Sequence, residues 1–124
     1  MKLDHLNVYV NDVNVSREFY EAVLIPFGFS FVRDFGDLAV GFGTSDYAIF
    51  AIVRELEAIQ TTHVAFRVDS RSEVDRFYEI ALSAGANDNG PPGLRPHYHE
   101  NYYAAFVRDP DGHNIECVCH KPVS

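Results

Sequence analysis

A shift of 58 residues lays residues 4–24 of this chain on residues 62–82 without a gap, and no other feature limits the fold as tightly. Asp4-His5-Leu6-Asn7-Val8-Tyr9-Val10 falls on Thr62-His63-Val64-Ala65-Phe66-Arg67-Val68, Phe19-Tyr20-Glu21 falls on Phe77-Tyr78-Glu79, and Leu24 falls on Leu82. A repeat of this length is two copies of one supersecondary unit, each too small to bury a core alone. With 124 residues the chain has room for one domain of this kind. The expected division is a first module over about residues 1–57 and a second over about 58–124.

Residues 3–10 alternate with the period of a strand: Leu6, Val8 and Val10 share one face, and His5, Asn7 and Tyr9 the other. Residues 62–68 repeat this, with Val64, Phe66 and Val68 opposite His63, Ala65 and Arg67. In both copies the histidine lies on the more polar face, which suits the lining of a cleft. A helix follows each strand. Val74, Phe77, Tyr78, Ala81 and Leu82 make the apolar stripe of the second, with Ser70 and Glu73 as a capping box. Phe19, Tyr20, Val23 and Leu24 make the first, capped by Asp12 or Asn14. Glycine-bearing turns at Gly28 and Gly85 then lead to short strands near residues 29–33, 38–43 and 47–53 in the first copy. In the second copy a loose stretch over 87–100 precedes strands near 102–108 and 113–120, joined by the turn Asp109-Pro110-Asp111-Gly112. Each half thus reads strand–helix–three strands, an α+β architecture.

Composition excludes some functions. A net charge of −8 and the lack of any basic run argue against nucleic acid as a partner. No apolar run approaches a membrane span. Met1-Lys2-Leu3-Asp4-His5 places a carboxylate and a histidine where a signal peptide needs apolar residues, so the expected location is cytoplasmic. Cys117 and Cys119 are the only cysteines, and two residues apart on one strand they are expected to be buried thiols rather than a disulfide.

The chemistry rests on His5, His63 and Glu116. On the last strand Ile115, Cys117 and Cys119 form the small apolar face, leaving Glu116 and Val118 on the other. Aligning residues 47–52 with 113–118 sets Phe50 at the position of Glu116, so the repeat offers four inward positions and this chain fills three with ligating groups. Two histidines and one carboxylate suit one first-row divalent ion (Fe, Mn, Zn or Ni) and leave coordination positions for water or substrate.

These residues resemble the vicinal oxygen chelate superfamily, which contains glyoxalase I, extradiol dioxygenases and the fosfomycin- and bleomycin-resistance proteins. The matching pieces are Leu3-Asp4-His5-Leu6, Arg17-Glu18-Phe19-Tyr20, Thr62-His63-Val64-Ala65-Phe66, and a run from Phe106 through Asp109-Pro110-Asp111-Gly112 to Ile115-Glu116. The resemblance implies two βαβββ modules forming an open, barrel-like mixed sheet with a central cleft and helices on the outside. It also implies metal ligands on the first and last strands of each module, at positions corresponding to His5, Phe50, His63 and Glu116. Phe50 departs from the acid that glyoxalase I carries there. A homodimer is implied as well.

Arg95, His97, Tyr98, His99, Glu100, Tyr102 and Tyr103 crowd into residues 95–103. His97, His99 and Tyr103 are the candidate acid, base and hydrogen-bonding groups for catalysis. Asn7, Tyr9, Phe50, Arg67, Arg95 and Tyr102 are the candidate substrate-binding residues, and Arg67 could bind an anionic group. Two functional readings follow. One is a glyoxalase-like metal-dependent enzyme, of lyase, isomerase or dioxygenase type, that chelates vicinal oxygens of a small molecule. The alternative is a metal-free protein that sequesters a small molecule, as the bleomycin-resistance branch does.

Overall fold

Alternating strands and two amphipathic stripes build the same unit twice. The computed structural model describes residues 1–45 and 47–123. The chain divides into two compact units, Met1–Gln60 and Thr61–Ser124.

In the first unit, strand β1 (Leu6–Val10) leads into helix α1 (Val13–Leu24). Asp12 starts the helix, its carboxylate accepting from the backbone N–H of Asn14 at 3.0 Å and of Val15 at 3.2 Å. A short 3-10 turn (Ile25–Phe27) carries the chain to Gly28, whose φ of 104° ends the segment in the left-handed region that glycine tolerates. Strands β2 (Ser30–Asp34), β3 (Ala39–Gly43) and β4 (Phe50–Arg54) complete a sheet of order β1-β4-β3-β2, with β1 and β4 parallel. Val8, Val10, Val40, Phe42, Phe50 and Ile52 are buried, as are Val13, Phe19, Tyr20, Val23 and Leu24 of α1. The helix therefore covers one face of the sheet.

The second unit repeats the plan. Strand β5 (His63–Arg67) leads into helix α2 (Arg71–Ser83), capped by the Ser70 hydroxyl, which accepts from Glu73 N–H at 3.2 Å and donates to the Glu73 carboxylate at 2.9 Å. Two two-residue strands, β6 (Asn87–Asp88) and β7 (Gly93–Leu94), pair with β8 (Tyr103–Arg108), which pairs antiparallel with β9 (Asn114–Cys119). The main order is β5-β9-β8-β6, with β5 and β9 parallel. Val64, Ala105, Val107, Ile115, Cys117 and Cys119 are buried along with Val74, Phe77 and Ala81 of α2. Both thiols lie in this layer, and burial pushes that of Cys117 up to about 12.

The α+β class, the two helices and the paired modules are as the sequence indicates. Strand limits differ by up to three residues, at β1, which begins at Leu6 rather than 3, and at β4, which begins at Phe50 rather than 47, and the stretch over 87–100 holds the two short strands β6 and β7. No helix among the described residues is long and apolar enough to cross a membrane.

Candidate metal centre

Pleating sends alternate residues of each strand to opposite faces, and β9 uses this to separate core from chemistry. Ile115, Cys117 and Cys119 turn toward α2, and Glu116 turns to the open face of the sheet. Registered pairs place Ala65 of β5 and Phe106 of β8 beside Glu116. His63, two residues before Ala65, shares that face. Its Nε2 lies 2.7 Å from Glu116 Oε1, while its side chain remains 52% exposed and that of Glu116 only 2%. A carboxylate accepts only, so the imidazole Nε2–H is the donor.

The second carboxylate oxygen of Glu116 accepts a hydrogen bond from the Tyr102 hydroxyl. Burial, together with this bond to a carboxylate, raises the phenol well above its ordinary value, so it stays protonated and donating. Sequence reasoning placed Tyr102 near substrate. Its direct partner is the candidate metal ligand. Arg95 reaches the same face, its guanidinium 5.3 Å from the Phe106 ring centre and bonded to the carbonyls of Gly93 and Pro91, each at 2.8 Å. Arg67 is exposed at the far end of β5. No carboxylate pairs with it among the described residues.

Two expected site residues lie elsewhere. Tyr103 pairs with Cys119 across the ladder, which sends its side chain to the helix face. There its hydroxyl donates to Asp75 of α2 at 2.6 Å, and the Arg71 guanidinium lies 5.3 Å from its ring. That position serves helix–sheet packing, with the side chain turned away from Glu116. Phe50 is the other. It pairs with Leu6, the repeat counterpart of Val64, so it corresponds to Ile115 and not to Glu116. It is 2% exposed, and its ring packs 4.9 Å from that of Tyr20 on α1. Ala51, paired with Asn7, holds the position equivalent to Glu116.

In the first unit His5 precedes β1, exposed, with Nδ1 2.7 Å from the adjacent Asp4 carboxylate. Asn7 and Tyr9 are exposed on the face opposite Val8 and Val10. Of the loop histidines, His97 stacks its ring 4.3 Å from that of Tyr98. His99 bonds to His120, a partner that sequence reasoning missed, at 2.9 Å between Nε2 and Nδ1. Among the described residues no group of three or more His, Cys, Asp or Glu side chains is close enough to hold a metal ion.

His63 and Glu116 nonetheless suit a divalent ion. One imidazole nitrogen and one carboxylate oxygen 2.7 Å apart stand close to the roughly 3 Å between neighbouring ligands at metal bond lengths of about 2.0–2.2 Å. The Tyr102 hydroxyl fixes the carboxylate in the way a supporting partner orients a ligand.

A duplicated strand–helix–strand unit, each copy with its opening and closing strands parallel, defines a class of small α+β proteins made of paired modules. A family model described as Glyoxalase/Bleomycin resistance protein/Dioxygenase superfamily matches residues 2–117, and the chain belongs to that superfamily. Among solved structures, a glyoxalase/bleomycin resistance protein from Albidiferax ferrireducens T118 is 27% identical, with 96% of this chain and 98% of that one covered at a TM-score of 0.80. A lactoylglutathione lyase from Agrobacterium tumefaciens is 19% identical, with 94% and 92% covered at a TM-score of 0.73. The fosfomycin resistance protein FosX from Mesorhizobium loti is 23% identical, with 97% and 92% covered at a TM-score of 0.71. The last two are likenesses of fold. No curated protein matches the sequence significantly.

Proposed function

We propose that the chain is a metal-dependent enzyme of this superfamily acting on a small oxygen-bearing molecule, with His63 and Glu116 as ligands. The observation that carries this reading is the His63–Glu116 pair on the open face of the second sheet, one member half-exposed and the other buried. A bound ion would supply Lewis acidity toward vicinal oxygens of the substrate. The protein's own groups supply the rest. Tyr102 holds the Glu116 carboxylate in one orientation by donating to its second oxygen. Arg67, exposed beyond Ala65 on the same face, offers a paired hydrogen-bond donor to an anionic group. Phe106, with Arg95 above it, gives a flat apolar wall for the body of a small molecule. Lyase or isomerase chemistry is the preferred type and dioxygenase chemistry the next, and association as a homodimer in the cytoplasm is part of the proposal.

A second reading is favoured by one observation. Both oxygens of Glu116 already have protein donors, so this face is complete as a polar surface for binding a small molecule without an ion. Elemental analysis of untagged protein, beside His63→Ala and Glu116→Ala variants, separates the two. About one Fe, Mn, Ni or Zn per chain, lost in both variants, supports the enzyme. No uptake after reconstitution with each ion rejects it in favour of the binding protein.

A further inference from the structure

His99 and His120 lie outside the site just described, yet they are arranged as a pair. His99 Nε2 is 2.9 Å from His120 Nδ1, and the rings stack with centres 5.1 Å apart at 26°. Tyr102 stands edge-on to both, at 5.5 Å from His99 and 5.2 Å from His120. The backbone N–H of Asn101 donates to His99 Nδ1 at 3.1 Å. An N–H cannot donate to a protonated nitrogen, so the His99 proton sits on Nε2 and is given to the lone pair of His120 Nδ1. Two exposed imidazoles thus share one proton between facing nitrogens, on a surface open to solvent.

We propose that His99 and His120 form a second metal-binding pair, independent of His63 and Glu116, for a divalent ion that favours imidazole: Zn2+, Ni2+ or Cu2+. Nitrogens about 2.0–2.1 Å from one ion stand about 2.9 Å apart at a right angle and about 3.3 Å apart in a tetrahedron. The present 2.9 Å matches the first and needs a small opening for the second. Binding through His99 Nε2 moves its proton to Nδ1, so no proton leaves the pair and the Asn101 N–H is released to water. Hard oxygen-seeking ions such as Mg2+ and Ca2+ gain nothing from two nitrogens. The packing of both rings against Tyr102 limits the rotamer freedom that binding would otherwise remove.

The test is a Zn2+ titration of untagged, metal-stripped full-length protein, followed by calorimetry and by NMR of backbone amides and histidine rings. It is run in the wild type, in His63→Ala, and in His63→Ala combined with either His99→Ala or His120→Ala. A Zn2+ event should persist in His63→Ala and weaken by more than about tenfold in each combined variant, the low end of what losing even a supporting residue costs a metal site. The Asn101 amide and both rings should shift together. Equal Zn2+ affinity in His63→Ala and the combined variants overturns the proposal, as does the lack of any Zn2+ event in His63→Ala. Failure of the His63–Glu116 proposal would show separately, as no difference between wild type and His63→Ala.

Discussion

Tyr102→Phe removes a single hydroxyl, and its expected cost follows from what that hydroxyl touches. It donates to a carboxylate whose side chain is 2% exposed. A hydrogen bond to a charged group is worth about 1.5–3 kcal/mol net, and the lower half of that range applies because Tyr102 itself is only partly buried. The phenyl ring keeps its packing against Tyr98, 4.8 Å away, and against His99 and His120, so little apolar contact is lost. Glu116→Leu supplies the control, since it removes the acceptor. In that background Tyr102→Phe should cost less than about 0.5 kcal/mol, giving a coupling of at least about 1 kcal/mol in the double-mutant cycle. Urea unfolding with chelator present measures it. Far-UV circular dichroism is the probe, because the chain has no tryptophan. The equivalent loss in Tm is about 3–6 °C per kcal/mol for a chain of this size. Additivity of the two substitutions within about 0.5 kcal/mol would refute the claim that Tyr102 holds Glu116.

Three further outcomes are expected. Phe50→Glu buries a charge against Tyr20 and should leave the chain largely unfolded, whereas Ala51→Glu, on the open face, should fold with a Tm within a few degrees of wild type; equal tolerance of both would overturn the assigned register. With its thiol at about 12, Cys117 should react with a thiol reagent at pH 8 about a thousandfold more slowly in the folded than in the urea-unfolded chain, and fast modification of both thiols in native protein would contradict its burial. Asp109 is 3% exposed and accepts from the N–H groups of Asp111 at 3.0 Å and His113 at 2.8 Å, so Asp109→Ala should cost about 2–3 kcal/mol by urea unfolding, and a loss under about 0.5 kcal/mol would assign the turn to Gly112 alone.

Much of the fold is legible in the sequence because two periodicities and a repeat report the same thing. The alternation around His5 and His63, the stripes of α1 and α2, and the caps at Asp12 and Ser70 are local signals with local causes. The face of Phe50 is not local. Residues 47–49 look like strand but lie before it, so counting from Tyr47 shifts the register by one. Tyr103 was recoverable: the turn from Asp109 pairs Arg108 with Asn114, which pairs Phe106 with Glu116 and assigns even-numbered residues of β8 to the Glu116 face. By that count Tyr102, just before β8, belongs with Glu116 and Tyr103 with the core. The pairing of His99 with His120 had no such signal, since an irregular loop brings together residues 21 apart without a repeating spacing.

The order of strands in each sheet also bears on how the chain is made. Strand β1 has β4 as its neighbour and β5 has β9, so each module's opening strand finds its hydrogen-bonding partner in the last strand to be synthesised. A ribosome therefore releases His63 well before the strand that brings Glu116, and until then β5 lacks the neighbour that takes up its backbone hydrogen bonds. The module must close a loop of helix and hairpin before its two proposed ligands can meet, which makes that closure a natural slow step of folding. The pair proposed as the chemical centre would then be among the last contacts to form, and its hydrogen bond a marker that synthesis of the module has finished.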